Sequence, residues 1–421
     1  MSSHPQWYDS GLDHIWLPYT QMKTMRPPLA AVGTHGSRIV LADGRELIDG
    51  VGSWWTACHG YNHPHIAEKV RQQLNRMPHV MLGGLLHEPA LRLAERLCAR
   101  LPARLRRVFF SDSGSVAVEV AMKMALQYHL NAGTKGRTKF VAFKGGYHGD
   151  TLGTMAVCDP EEGMHALFSG ILNQHVIVDL PRDELTLAQF ETVIAQHADE
   201  IAAIIVEPLV QGAGGMLFHN EQCLMRIRDV ARRHHILLIA DEIFTGFGRT
   251  GPMFACDVCD VEPDIITLGK GLSGGTLPLA ATVASSDVFA SFWSDDPGQA
   301  LMHGPTFMGN ALACAAANAS LDLFEQEPRL LQGAEAGKMM AHMLGHALTL
   351  PGVVDVRVRG CIGVVEMERI DDLNALKHAF AEEGVFIRPF RNIVYLTPAL
   401  NIARDDLEKL CTAILTVLGR R

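Results

Sequence analysis

The chain has 421 residues, 48% of them hydrophobic and 20% charged, which describes a globular protein with a sizeable core and room for two or three domains. A net charge of −9 argues against nucleic acid as a partner, and the short basic runs at 104–107 and 232–235 read as solvated surface. No run approaches the ~18 apolar residues of a membrane span, and the first sixteen residues lack the basic flank and apolar core of a secretory signal. A cytoplasmic location is therefore expected.

Taken in order, SRIVLADGRELIDG (37–50) predicts a hairpin turning at Asp43 and Gly44. HPHIAEKVRQQLNRM (63–77) and EPALRLAERLCARL (88–101) have the period of amphipathic helices. RRVFFSDSG predicts a strand leading into the helix SVAVEVAMKMALQYHL (115–130). Then come apolar strands KFVAFKG, HVIVDL, AAIIVEP, ILLIADE and DIITLG, mostly separated by helical segments. That alternation predicts an α/β fold with a mainly parallel sheet covered by helices on both faces.

After residue 308 the pattern changes. MGNALACAAANASLDLFEQEP predicts a long helix of small residues, and VVDVRVRGCIGVVEME and GVFIRPFRNIVYLTP predict hairpin-forming strands between helices. The expected division is an N-terminal segment 1–62 of a small domain, a large domain 63–308 and a C-terminal portion 309–421 of the same discontinuous α+β small domain.

Two stretches carry the chemistry. ILLIADEIFTGFG places Asp241 at the end of one apolar run, and DIITLGKGLSGG places Lys270 at the end of the next. Ligands of open α/β sheets sit outside the carboxyl ends of the strands. A lysine and an acid delivered there suit pyridoxal 5'-phosphate (PLP): the lysine forms a Schiff base and the acid keeps the pyridine nitrogen protonated. A lysine reaching solvent and a capped or ion-paired aspartate are the alternatives. Glu242 alternates to the other face and is given no catalytic role.

SDSGS (111–115) lies between a strand and a helix, where Gly114 and Ser115 are candidate phosphate contacts. A plain serine cap is the alternative. Tyr147, in GGYHGD, is a candidate to stack on a planar ring, or packs at the core rim. Thr306, in the polar turn HGPTF (303–307), offers a hydroxyl to phosphate or ends a loop before a helix. Arg388, in FIRPF, is flanked by apolar residues and wants a carboxylate, from a ligand or from within the chain.

Other signals fail on inspection. GFGRTG (246–251) matches a dinucleotide pattern but is not followed by a helix, and GKG at 269–271 lacks the surroundings of a P-loop. Nine cysteines at irregular spacing exclude a disulfide framework, and the lone pair Cys256 and Cys259 has no second ligand pair for zinc; no metal is expected.

The stretches DEIFTGFGRTG, GKGLSGG and HGPTF together resemble the class III aminotransferases of PLP fold type I, over nearly the whole chain. HIWLPYTQMKT, SWWTACHGYNHP, HVMLGG, GYHGDT, VQGAGGM and HGPTFMGN are similar to the members of that family that carry an amino group from S-adenosylmethionine to 8-amino-7-oxononanoate in biotin synthesis. The resemblance implies that Lys270 carries PLP, that Asp241 pairs with its ring nitrogen, and that Tyr147 stacks over the ring and lines the substrate pocket. It implies phosphate binding by Gly114 and Ser115, with Pro305 and Thr306 supplied by the partner subunit of a homodimer. Tyr19, Trp54 and Gly304 would contact substrate, and Arg388 would take its carboxylate. Asp150 and Arg249 are further pocket candidates. A class III enzyme acting on another amine, or using lysine as donor, is the alternative. A non-catalytic nucleotide-binding or scaffold protein is a third reading, and it predicts a colourless protein.

Overall fold

The computed structural model describes residues 5–160 and 166–420. The chain divides into two compact units, 1–64 with 328–421, and 65–327.

The second unit is built on a seven-stranded sheet. Its order is Leu105–Ser111, Ala280–Ser285, Ile265–Leu268, Leu237–Asp241, Ile201–Val206, Lys139–Phe143 and Val176–Val178. All neighbours pair in parallel except Ala280–Ser285, which runs antiparallel to both of its neighbours. The central strands Ile201–Val206, Leu237–Asp241 and Ile265–Leu268 are buried along their whole length. This burial on both faces is why they read as unbroken apolar runs.

Two apolar layers cover the sheet. One includes Leu93 and Leu97 of helix Glu88–Arg100, Ile227 and Val230 of helix Glu221–Arg233, and Ala313 and Ala317 of helix Ala311–Gln326. The other is centred on Val118, Ala121 and Ala125 of helix Gly114–Asn131. Local chemistry starts these helices. Ser113 caps Gly114–Asn131 by accepting from Val116 N, and Asn220 caps Glu221–Arg233 by accepting from Cys223 N. The small-residue helix Ala311–Gln326 belongs to this unit, where its alanines permit close packing.

Among the described residues the first unit holds two sheets. Ala31–His35, Arg38–Leu41 and Glu46–Asp49 form a meander, with the expected turn at Asp43 and Gly44 (φ 88°). Val385–Phe386 adds to it in parallel, beside Glu46–Asp49. Val353–Arg359 and Ile362–Met367 form the expected hairpin, and Ile393–Leu396 pairs with its second strand. The segment 384–398 is therefore not a hairpin of the predicted kind: its two strands join different sheets, leaving one isolated bridge between Phe390 and Ile393. The intervening Arg391 sits at φ 52°.

Candidate active site

Asp241 and Lys270 both emerge at the carboxyl edge of the sheet. Their strands are adjacent and parallel, with Asp241 opposite Thr267. Asp241 is buried, and its carboxylate is held by three partners. Oδ1 accepts from Thr267 Oγ1 at 3.0 Å and from Ile243 N at 3.2 Å, and Oδ2 lies 2.7 Å from His148 Nδ1. Lys270 follows with a left-handed backbone (φ 44°) and opens the 3-10 turn Lys270–Ser273. Desolvation pulls its amine below the usual lysine pKa, while Asp241, Glu207 and Asp150 pull it back up. Those three carboxylates therefore share the electrostatic neighbourhood of the amine.

The segment 144–159 is tied to this edge at several points. Gly145 N donates to Asp159 Oδ2 (2.6 Å), Tyr147 N to Glu207 Oε2 (2.9 Å) and Asp150 N to Ser115 Oγ (3.2 Å). Thr151 Oγ1 donates to Glu119 Oε1 at 2.6 Å. Tyr147 is thus fixed through its backbone, and His148 through its backbone and its ring. Glu207 is buried at the end of its own strand and also accepts from Gly212 N at 2.9 Å. Burial pushes its carboxyl up to about 7, against the pull of His148.

Gly114 and Ser115 begin the helix Gly114–Asn131, where the first amides have no carbonyl acceptor within the helix. A Cβ on Gly114 would stand 2.9 Å from Ile243 Cδ1, and one on Gly269 3.4 Å from Ile243 Cγ2. Ile243 therefore lies against both the phosphate-binding candidate Gly114 and the residue preceding Lys270.

The turn 303–307 is mostly exposed. His79 Nε2 lies 3.1 Å from Thr306 O, Pro305 O accepts from Met308 N, and Gly304 has open space where a Cβ would be. Arg249 is buried and Asp150 exposed. Cys256 and Cys259 are free thiols in the 3-10 turn Ala255–Cys259, and among the described residues no group of three or more metal-ligating side chains occurs. Glu242 is fully buried and accepts from Ala255 N and Cys256 N, so it braces this loop.

Three remaining candidates cluster in the first unit. The Tyr19 and Trp54 rings meet edge to face at 6.2 Å, and the Arg388 guanidinium lies 4.6 Å from the Trp54 ring centroid. Burial lowers the pKa of Arg388, while Tyr395 and Tyr19 raise it. Among the described residues no carboxylate pairs with this half-buried guanidinium, so the internal ion pair considered for it is not formed.

Sequence reasoning missed His148 and Glu207. For Glu207 the signal was present: the apolar run AAIIV stops at an acid as ILLIA does before Asp241. For His148 only proximity to Tyr147 hinted at a role.

A lysine and an aspartate at the carboxyl edge of a mainly parallel sheet, beside a glycine-initiated helix, define a PLP-dependent enzyme of fold type I. Residues 19–418 match the family model described as aminotransferase class-III, and the chain belongs to that family. It is 47% identical to the adenosylmethionine-8-amino-7-oxononanoate aminotransferase of Mycobacterium leprae, over 96% of this chain and 95% of that one. The crystal structure of the enzyme of that name from Methanocaldococcus jannaschii superposes with a TM-score of 0.93 at 33% identity, covering 98% of each chain. An amine transaminase from an uncultivated Pseudomonas species, solved in its PLP-bound form, is similar with a TM-score of 0.89 at 31% identity, covering 97% of this chain and 98% of that one.

Proposed function

We propose that this protein transfers an amino group from S-adenosylmethionine to 8-amino-7-oxononanoate, giving 7,8-diaminononanoate for biotin synthesis. The observation that carries the choice of acceptor is Arg388. A half-buried guanidinium, stacked on Trp54 and without an acidic partner among the described residues, is a receptor for a ligand carboxylate. The near-full-length similarity to enzymes of that name supports the rest.

The residues fit PLP. Lys270 offers an amine whose proton is loosened by burial, which favours covalent attachment to an aldehyde. Asp241 offers a carboxylate held in one orientation by Thr267, Ile243 N and His148. Gly114 leaves only a hydrogen's width beside Ile243 at a helix start suited to phosphate. Bound there, PLP supplies an electron sink for the carbanion left when an amine-bearing carbon loses its proton.

The chain's own residues do the rest. Lys270 takes the proton from the substrate carbon at Nζ and returns it on the other side of the exchange, in each of two half-reactions. Asp241 would pair with the ring nitrogen of PLP and favour its protonated form, and His148 and Thr267 keep Asp241 aimed. Gly114 and Ser115 would hold the phosphate, with Pro305 and Thr306 of a second copy completing the site, and Tyr147 would stack on the ring. Arg388 takes the acceptor carboxylate, and the aromatic faces of Tyr19 and Trp54, with Gly304, accommodate both a sulfonium and an alkyl chain. This reading makes the protein a cytoplasmic homodimer. The turn carrying Pro305 and Thr306, with Thr306 and Phe307 exposed, supports the dimer.

The test is an assay of purified protein with 8-amino-7-oxononanoate and, in turn, S-adenosylmethionine, lysine and simple amines. Diaminononanoate formed with S-adenosylmethionine is the expected result. Product formed only with lysine corrects the donor, and none with any donor overturns the reading. A yellow protein whose visible band is lost in Lys270→Ala checks the cofactor lysine independently.

A further inference from the structure

The backbone from Gly52 to Trp55 passes through four consecutive residues at positive φ: 56°, 47°, 53° and 75°. Ser53 and Trp54 have left-handed helical ψ values as well, 61° and 49°. L-residues other than glycine resist this region, so a run of three, two of them tryptophan, persists only where the surroundings impose it.

The imposing group is Asp49, the last residue of strand Glu46–Asp49. It is buried, and its carboxylate gathers four donors. Oδ1 accepts from Val51 N (2.8 Å) and Gly52 N (3.1 Å), and Oδ2 accepts from Ser53 N (3.0 Å) and from the Tyr61 hydroxyl. The same hydroxyl lies 2.6 Å from Ser53 Oγ. Tyr61 is itself anchored through two backbone hydrogen bonds to Gly36. The turn is closed at its far end by Trp55 N and Thr56 N, which donate to Val51 O and Gly52 O.

The turn separates two adjacent tryptophans. Trp55 is buried with its ring 6.3 Å from that of Tyr395. Trp54 is 38% exposed and faces the other way, between the Tyr19 ring and the Arg388 guanidinium. Tyr19 also sits at positive φ (50°), so two left-handed backbone positions meet at one aromatic contact.

We infer that Asp49, with Tyr61, is a positioning residue for substrate recognition. It locks the left-handed turn that lays Trp54 against Arg388, and so fixes where the acceptor carboxylate is held. This rests on the function proposed above. A carboxylate that only stabilised the fold would leave KM and the tryptophan spectrum of the folded enzyme unmoved. One that sets the Trp54–Arg388 stack moves both, with kcat and the cofactor band kept.

The experiment compares full-length, PLP-loaded wild type with Asp49→Asn and Tyr61→Phe. Asparagine keeps the volume but turns an amide NH2 toward backbone donors, and phenylalanine removes one donor while keeping the ring. Asp49→Asn is expected to shift the near-UV circular dichroism of the tryptophans toward that of Trp54→Phe. It should raise KM for 8-amino-7-oxononanoate about tenfold, the equivalent of ~1.4 kcal/mol. The visible cofactor band and kcat should stay within about twofold of wild type. Tyr61→Phe should move in the same direction by less. An unchanged KM in folded Asp49→Asn, or a fall in kcat without the shift in the tryptophan spectrum, overturns the inference. Should Asp49→Asn not fold, Tyr61→Phe carries the same test, and its failure to move KM and the tryptophan spectrum overturns it. If wild type makes no diaminononanoate, it is the functional reading that fails. The clamp is then judged on the tryptophan spectrum alone, and an unchanged spectrum in both variants overturns it.

Discussion

His148 Nδ1 lies 2.7 Å from Asp241 Oδ2, and both side chains are buried. The imidazole is held from its backbone too, since His148 N donates to Cys158 Sγ at 3.2 Å. Removing one partner of a buried, hydrogen-bonded carboxylate leaves it unsatisfied. His148→Phe should therefore destabilise the protein by about 3 kcal/mol. It should also lower kcat by about 10- to 100-fold, the size of effect known for the hydrogen-bond partners that orient metal-ligating residues. Urea unfolding and single-turnover kinetics check both. Lost stability with unchanged kcat would restrict His148 to the fold.

Glu207 gives stability a pH dependence of defined sign. Burial, with Asp241 adding to it, pushes its carboxyl up to about 7 in the folded protein, from about 4.3 in an unfolded chain. The folded state then holds this proton more tightly. The contribution is fully present below about 4.3 and is lost as pH rises through about 7, on the order of 3 kcal/mol. Glu242, likewise pushed up to about 7 by burial, acts in the same direction. Stability measured by urea unfolding should fall between about pH 5 and pH 8. Glu207→Gln should make that fall shallower, and a slope equal to wild type would assign the proton elsewhere.

Gly149 tests the phosphate anchor. Its φ is 133°, and a Cβ there would stand 2.3 Å from Ser115 Oγ and 2.9 Å from Ser115 Cα. Gly149→Ala must displace Ser115 or the segment that carries Tyr147 and His148. PLP affinity, read from the visible band on titration, should weaken by about tenfold or more. Gly11→Ala is the control, because its Cβ meets nothing within 4 Å and its φ is ordinary. Equal affinities in the two variants would remove Ser115 from the anchor.

Arg388→Lys should raise KM for 8-amino-7-oxononanoate by about 10- to 100-fold while leaving the visible band intact. Lysine keeps the charge but loses the planar fork and its stack on Trp54. Initial rates over a range of acceptor concentrations decide this. A KM within about twofold of wild type would place the carboxylate elsewhere.

Much of the site was legible because of where acids and amines interrupt apolar runs. A strand buried on both faces has no use for a charge, so Asp241 and Lys270 mark the points at which their strands leave the core. Glu207 obeys the same rule and was open to the same reading. His148 was not, because its significance depends on Asp241, 93 positions further along the chain. The antiparallel strand Ala280–Ser285 escaped notice because Pro278 and its small residues weaken the strand signal, and its place was decided by pairing with two neighbours.

The sequence by itself determined the alternation of strands and helices and the sheet edge at which Asp241 and Lys270 emerge. These follow from local periodicity and from the cost of burying charge, which neighbouring residues reveal. Tertiary structure alone decided which groups support them. The strand Val385–Phe386 joins Glu46–Asp49 rather than its near neighbour Ile393–Leu396, and Asp49 bends the following residues into a left-handed turn. Such choices depend on hydrogen bonds and contacts between distant segments, whose energies exceed local preference and leave no periodic trace in the chain.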